Sequence, residues 1–512
     1  MLPKGARVQI SFGSKTLIGI VIEQLKSKPT YEVKEVSKIF ENKPIFESNI
    51  FNCLIWASKY YHHPIGEVFQ TFTPNLLRND KKSLPNIEDS SINDYKVNES
   101  DMHQSLTASQ TKAIKNINTD KEFNISLLHG VTGSGKTEVY LNLVSDIINK
   151  NQAALILVPE INLTPQLHKV FSTRFNGEIG LYHSKQTPLQ RFKVWSKARS
   201  GNIRIVIGTR SAIMNPILNL GLIIIDEEHD QSFKQSEGFK FSARELGIKR
   251  AQKEDIPILL GSATPSLSVL KLVEENKVTK INMPERVDGR KPPSLIILDI
   301  NNKKLISGIA QESLEAIDTT LKENKQVLIF INRRGFAPML QCNTCGWTAE
   351  CAACESNLVF HKERNRLICH RCESAYGTPE LCPSCASSQI ELLGLGTEKV
   401  EDYLASTFPD VSTIRIDQDS TKKKNSMNEI YEQLDNSGPA ILVGTQMLAK
   451  GHDFNNVALT LVINADNGLI SPEVNALEKV SQLLIQVSGR AGRKNNDPKV
   501  IIQTRYPQDK TL

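Results

Sequence analysis

No stretch of about 18 consecutive apolar residues occurs in the sequence, which leaves no candidate for a conventional membrane-spanning helix. The amino terminus, MLPKGARVQISFG, lacks the apolar core of a secretory signal. Both point to a cytoplasmic protein. Aromatic residues are sparse at 6%. Neither sign of charge dominates: 62 Lys and Arg stand against 56 Asp and Glu, for a formal charge of +6. So small a surplus permits a polyanionic partner without demonstrating one. Cysteine is scarce outside one short stretch: of nine, only Cys53 lies away from residues 342–385, and it reads as a buried small hydrophobe. With 39% hydrophobic and 23% charged residues, the composition excludes a disordered or fibrous chain. At 512 residues the chain is too long for one core, so several domains are expected.

The apolar pattern divides the chain. RVQISFG and LIGIVIE read as strands about a Gly-Ser-Lys turn, and FNCLIWASKYY reads as a helix, giving a small β-rich domain over 1–78. Residues 79–105 are polar and rich in turn formers, as in a linker. Beyond them, ISLLHG, ALILVP, IRIVIGT, LIIIDEEH and IPILLGSAT alternate with helix-length amphipathic stretches. Such continuous apolar strands indicate a buried parallel sheet. After PERVDGRKPP a second series follows, VLIFINRR, STIRID, ILVGTQ, LTLVINAD and VIIQT. The fold class is therefore α/β, with two tandem lobes over 106–290 and 291–512, the second split into 291–341 and 386–512 by a Cys-rich insertion at 342–385.

GVTGSGKT at 130–137 is a phosphate loop placed between an apolar strand and a helix, as the motif requires. Glycines such as Gly130, Gly133 and Gly135 let backbone N–H groups close on phosphate oxygens, Lys136 neutralises the β and γ phosphates of ATP, and the Thr137 hydroxyl suits Mg2+. LIIID ends in Asp226-Glu227-Glu228-His229. Acidic residues at a strand's carboxyl end are often solvated caps, but beside a phosphate loop Asp226 is suited to magnesium and Glu227 to the attacking water. QVSGRAGR carries Gln486, Arg490 and Arg493, whose fixed cationic forks suit charge on a transferring phosphoryl group.

Four C-x2-C pairs, Cys342/Cys345, Cys351/Cys354, Cys369/Cys372 and Cys382/Cys385, supply the thiolates for two tetrahedral zinc sites. Spacing leaves the pairing open. With no open ligand position both sites are expected to be structural, stabilising an insertion too small to fold unaided.

Taken together, LTASQ (106–110), GVTGSGKTEVYL, LVPEINLTPQ (157–166), GTRSA (208–212), DEEHD, GSATPS (261–266), NRRGFAP (332–338), GTQMLAKGHDF (444–454) and QVSGRAGR resemble the superfamily 2 helicases, and among them the PriA family of bacterial primosomal proteins. The resemblance runs over nearly the whole chain. It implies RecA-like lobes, ATP-dependent 3′-to-5′ translocation on forked or single-stranded DNA, replication restart, and primosome proteins and single-stranded-DNA-binding protein as partners. It makes Gln110 the adenine reader, Arg490 and Arg493 the finger region, and Ser262 and Thr264 the link between hydrolysis and strand movement. Thr164, Thr209, Arg210, Ser211, Thr445 and Lys450 fall on the strand-tracking face, where hydroxyls and a lysine suit phosphates. In the aromatic-rich stretch 232–245, Phe233, Phe239 and Phe241 suit base stacking or a junction wedge as well as core packing, and Arg244 suits coupling to the acidic box or contact with DNA. The resemblance also implies a nested zinc arrangement, with Cys342, Cys345, Cys382 and Cys385 on one ion and Cys351, Cys354, Cys369 and Cys372 on the other.

The sequence departs from that pattern in places. Only the polar linker fills the interval where a winged-helix domain is expected, the family's carboxyl-terminal domain is expected to be missing after IIQTRYPQ, and the 3′-end pocket of domain 1–78 is expected to be partial. Phe241-Ser242 replace Tyr-His, Glu245 an aspartate, and Asp453 a histidine. An alternative expectation follows: a DNA-binding restart scaffold with DNA-stimulated ATPase and little unwinding.

Overall fold

The computed structural model describes the chain apart from residues 1, 26, 28, 29, 31, 42, 79–94, 98–105, 121, 160–163, 291, 333–338, 343, 355, 362–364, 370, 393–396, 417–437, 446–455 and 490–497. It forms two compact units, Met1–Val287 and Asp288–Leu512.

The first unit opens with a three-stranded antiparallel sheet of β1 (Arg7–Phe12), β2 (Lys15–Ile20) and β3 (Val36–Ile39), in the order β2-β1-β3. Gly13, at φ +59°, makes the two-residue hairpin turn that pairs Phe12 with Lys15. Helices α1 (Ser48–Tyr60) and α2 (Ile65–Phe72) follow. Buried Arg7 ties this region together, pairing with Glu41 and donating from Nη1 to Leu77 O at 2.7 Å.

Residues of the expected linker include an anchor. Tyr95 is buried, its ring fills the space a Gly177 side chain would take, and its hydroxyl bonds Glu178 O and accepts from Arg204 N. Beside it β4 (Lys96–Val97) pairs with β7 (Phe175–Asn176).

The first lobe runs through α3 (Ala108–Asn116), β5 (Ile125–Gly130), α4 (Lys136–Asn149), β6 (Ala153–Leu157), α5 (Thr164–Arg174), β8 (Ile179–Tyr182), α6 (Pro188–Ser200), β9 (Ile205–Gly208), β10 (Leu220–Asp226), α7 (Ala243–Glu254), β11 (Ile258–Ser262), α8 (Leu267–Glu274) and β12 (Thr279–Met283). Its seven strands pair in parallel in the order β12-β5-β11-β10-β6-β9-β8. The central strands are buried on both faces, the reason they read as unbroken apolar runs.

The second unit holds β13 (Ser294–Asp299), the ribbon β14 (Leu305–Ile306) and β15 (Ile309–Ala310), α9 (Gln311–Lys322) and β16 (Gln326–Ile331). The Cys-rich insertion contributes β17 (Leu340–Cys342), β18 (Val359–His361), β19 (Arg366–Ile368), β20 (Ala375–Gly377) and β21 (Ile390–Leu392). The lobe resumes with α10 (Thr397–Thr407), β22 (Ser412–Ile416), β23 (Ala440–Gly444), β24 (Val457–Ile463), α11 (Asp466–Leu469), α12 (Ala476–Ser488) and β25 (Lys499–Thr504). Its parallel sheet has the order β13-β25-β24-β16-β23-β22, and the insertion is closed at its base by the antiparallel pair β17 and β21.

Both series of apolar runs are strands, as the sequence suggests. Three further strands of the two parallel sheets were not anticipated. β8 has four residues, while β12 and β13 lie at sheet edges with most residues exposed, which removes the continuous apolar signal.

Candidate nucleotide site and thiolate centres

The loop between β5 and α4 bends through left-handed backbone at Gly133 (φ +82°) and Gly135 (φ +77°), where a side chain would be strained. A Cβ at Gly130 would sit 2.5 Å from Ser134 Oγ, and one at Gly135 would sit 2.3 Å from Gln110 Nε2. Gln110 therefore lies directly against the loop. It is held by a capping box: Thr107 N donates to Gln110 Oε1 at 2.8 Å, Gln110 N donates to Thr107 Oγ1 at 3.2 Å, and Nε2 reaches Gly135 O at 3.4 Å. Lys136 Nζ donates to Gly130 O at 3.1 Å and lies 3.9 Å from Glu227 Oε1. Thr137 follows, half-buried in the first turn of α4.

Across from the loop, β10 ends at Asp226. Its Oδ1 accepts from the Tyr140 hydroxyl at 2.8 Å. Burial, then the neighbouring Glu227 carboxylate, push the Asp226 carboxyl up to about 6, against the opposing pull of Lys136. Glu227 takes a left-handed φ of +50°, and its buried Oε2 has no hydrogen-bond partner. Glu228 turns the other way: it accepts from Ser266 N at 2.7 Å, from Ser266 Oγ at 2.9 Å and from Arg244 Nη1 at 2.7 Å. His229 Nδ1 lies 2.8 Å from Ser262 Oγ and Nε2 lies 3.3 Å from Thr264 Oγ1. The acidic box and GSATPS thus form one bonded network, a chemically competent arrangement for joining a phosphate loop to two carboxylates.

Sequence reasoning missed Tyr140 and Gly261. Tyr140 stands four residues after Lys136 on α4, where it reads as a core aromatic, and a Cβ at Gly261 would lie 1.8 Å from its hydroxyl oxygen. Only the spacing of Tyr140 along the helix hinted at a polar role.

In the second unit the outer cysteine pairs converge, with Cys342 and Cys385 Sγ 3.6 Å apart and Cys345 and Cys382 Sγ 3.6 Å apart. The inner pairs converge separately, at 3.5 Å for Cys351 and Cys372 and 3.4 Å for Cys354 and Cys369. A disulfide needs sulfurs about 2.05 Å apart. Four sulfurs each about 2.3 Å from a tetrahedral centre lie roughly 3.8 Å from one another, so the donor set and spacing fit one zinc in each cluster. The knuckles are tight turns: Gly346 N donates to Cys342 O, Glu373 N to Cys369 O and Ala386 N to Cys382 O, and all three donors have positive φ.

Four family models match along this order of features. They are the 3′DNA-binding domain (3′BD) of PriA over residues 1–74, the DEAD/DEAH box helicase over 107–273, the PriA DNA helicase Cys-rich region (CRR) domain over 351–375, and the helicase conserved C-terminal domain over 387–495. The replication restart protein PriA of Haemophilus influenzae is 36% identical over 99% of this chain and 79% of its own length. The chain belongs to the PriA family. The PriA protein of Chlamydia pneumoniae is 31% identical over all of this chain and 79% of its own length, and that of Bacillus subtilis is 39% identical over 75% and 48%.

Against this PriA frame the residues expected to meet DNA divide into several groups. Thr209 and Ser211 lie at the carboxyl end of β9, Thr209 N donating to Tyr182 O at 3.2 Å and Ser211 Oγ buried without a partner. Arg210 is occupied, since Nη1 donates to Ser232 O at 3.0 Å and Lys234 O at 3.3 Å and so fastens the aromatic-rich stretch. Arg244 is bound to Glu228, Ser266 and Ser268, the arrangement that coupling to the acidic box requires. Phe239 and Phe241 lie in the core. They are 2% and 1% exposed, stacked on one another at 5.2 Å, with Phe239 against Tyr61 and His63 and Phe241 against Phe72. Packed this way, neither ring presents a face to a base. Phe233 is likewise buried, and so is Thr445 after β23. Thr164 begins α5, its side chain outside the described residues, as are Lys450, Arg490 and Arg493.

Proposed function

We propose that this chain is an ATP-driven DNA helicase that moves 3′ to 5′, recognises forked DNA and begins replication restart by assembling a primosome, with single-stranded-DNA-binding protein among its partners. The observation that carries the reading is Lys136 standing 3.9 Å from Glu227, beside Asp226, in a lobe fused to a domain matching a 3′ DNA-binding module. Each residue then has a task. Gln110 exchanges its weak bond to Gly135 O for the adenine edge. Lys136 moves from Gly130 O to the β and γ phosphates. Thr137 and Asp226 would hold magnesium, which supplies charge neutralisation when bound. Glu227, whose Oε2 makes no hydrogen bond and lies 3.5 Å from His229 Nδ1, orients and deprotonates the attacking water. Arg490 and Arg493 serve as fingers from the second lobe. His229, bonded to Ser262 and Thr264, passes the change at the acids toward the strand-tracking residues Thr164, Thr209, Ser211, Thr445 and Lys450. Two structural zinc ions stiffen the insertion.

Steady-state ATP hydrolysis with and without forked DNA tests this directly. DNA stimulates the wild-type chain, Lys136→Ala lowers turnover on the order of 10²-fold or more, and a fork with a 3′ single-stranded track is opened in preference to one of opposite polarity. Absence of DNA stimulation in wild type overturns the proposal, whereas stimulated turnover with no strand separation selects the scaffold instead.

A further inference from the structure

The buried arginines of the first unit each have a carboxylate: Arg7 pairs with Glu41, Arg174 with Glu138 and Arg250 with Glu254, and half-buried Arg244 likewise pairs with Glu228. One basic group of partly buried side chains does not follow that rule. Arg191, in the first turns of α6, lies with its guanidinium carbon 4.8 Å above the Tyr182 ring and donates from Nη2 to the Tyr182 hydroxyl at 3.3 Å, while its buried Nε has no partner. Arg78 closes the 3-10 turn Asn75–Arg78 of the amino-terminal domain, and among the described residues its hydrogen-bond acceptor is Thr73 O, at 2.8 Å from Nε. That turn packs against α6, with Leu77 in one apolar cluster with Phe192 and Trp195, which sets Arg78 beside the helix that carries Arg191; burial and the Arg191 charge both depress Arg78. His183 has a buried, unpartnered Nδ1 and is depressed by burial and by Lys185 and Arg191. Among the described residues no carboxylate acts on Arg78 or His183, and none forms an ion pair with Lys185 or Arg191.

Like charges half-removed from water destabilise one another unless an anion joins them. Arginine forks with a hydroxyl nearby suit the oxygens of a phosphodiester. Position favours the same ligand. Tyr182 ends β8, at the carboxyl edge of the sheet where ligands of open α/β folds bind, and its carbonyl accepts from Thr209 N of GTRSA. The approach is close, since a Cβ on Gly208 would lie 2.5 Å from Tyr182 O. The cluster therefore continues the row of residues assigned above to the DNA backbone.

We propose that Arg78 and Arg191 jointly bind one backbone phosphate of DNA at the seam between the amino-terminal domain and the first helicase lobe. The inference rests on the DNA-motor reading and adds a contact that fixes the amino-terminal domain and the lobe on one strand. Fluorescence anisotropy of the full chain with single-stranded DNA, repeated across salt concentrations, measures it. One lost phosphate contact flattens the plot of log affinity against log salt by about 0.7. Between 50 and 200 mM salt, wild type then loses about 2.5-fold more affinity than the double variant R78Q/R191Q. The double variant R78K/R191K, which keeps the charge, restores the wild-type slope; if it behaves like the glutamine variant, the arginines are merely structural and the proposal is overturned. An unchanged slope in R78Q/R191Q alongside DNA-stimulated ATP turnover by wild type overturns this site alone, whereas failure of DNA to stimulate wild type overturns the motor reading. An unchanged slope with a wild-type melting temperature raised by inorganic phosphate, but not in R78Q/R191Q, reassigns the cluster to a small free anion and likewise overturns the DNA assignment.

Discussion

Gly261 carries no side chain because the Tyr140 hydroxyl occupies the place where one would go, and that hydroxyl holds Asp226. Gly261→Ala forces the oxygen away, so ATP turnover should fall by roughly 10-fold or more, the scale of a lost orienting bond at a charged group. Adding Tyr140→Phe to that variant removes the clashing oxygen, so its melting temperature should recover in part while turnover stays low; a fully additive loss in both readouts contradicts the assignment. Asp226 gives a pH test. Its folded value is raised from 3.8 to about 6, so the native state binds the proton more tightly than the unfolded chain does. The sign follows: the native state loses stability as pH rises from about 4 to about 6, and the full penalty remains above that range. In metal-free protein Asp226→Asn should therefore melt higher than wild type at pH 7.5, with the difference vanishing below about pH 4. Scanning calorimetry across that range decides it.

At the scale of elements, the zinc knuckles are four short turns that no extensive core supports. Their own cluster is small, built on Leu340, Leu358 and Leu367 around Cys351 and Cys369. On the proposed two-zinc reading, metal binding is the main source of order for the insertion. Elemental analysis should return about two zinc per wild-type chain. Serine replacement of Cys342 and Cys382 together should remove one equivalent, because both belong to one cluster, whereas replacing Cys342 and Cys351 together should remove both. Equal zinc contents in the two double variants would show that the thiolates are partitioned differently. The C-x2-C spacing was plain in the sequence because each knuckle is local, but which knuckles meet depends on how β18, β19 and β20 fold between them. The resemblance to the family, not the spacing, supplied the nested pairing.

At the scale of the whole molecule, the amino-terminal domain and the first lobe share a single core. Phe46, Leu54, Phe69 and Phe72 lie in the same apolar cluster as Phe239, Phe241, Leu246 and Ile213, and the Tyr61 hydroxyl donates to Glu245 at 2.6 Å. Removing residues 1–78 should uncover the aromatic-rich stretch, lower the melting temperature of the remaining chain and raise its binding of a hydrophobic dye; an unchanged melt would mean the shared core contributes nothing. Phe239→Ala in the full chain should cost about 3–5 kcal/mol of local stability, the usual range for a buried phenylalanine. The sequence by itself determined what is decided within one strand, turn or knuckle: the phosphate loop, the acidic strand end, the two series of buried strands and the cysteine pairs. Each is a pattern of neighbours, and short-range sterics and burial write it directly into residue order. Only the tertiary structure decided the rest: that Phe239 and Phe241 face a core, that Arg244 serves the acidic box, that Tyr140 meets Gly261, and that Arg78 approaches Arg191. These residues are brought together by packing across long stretches of chain, and no local preference of either partner records the other.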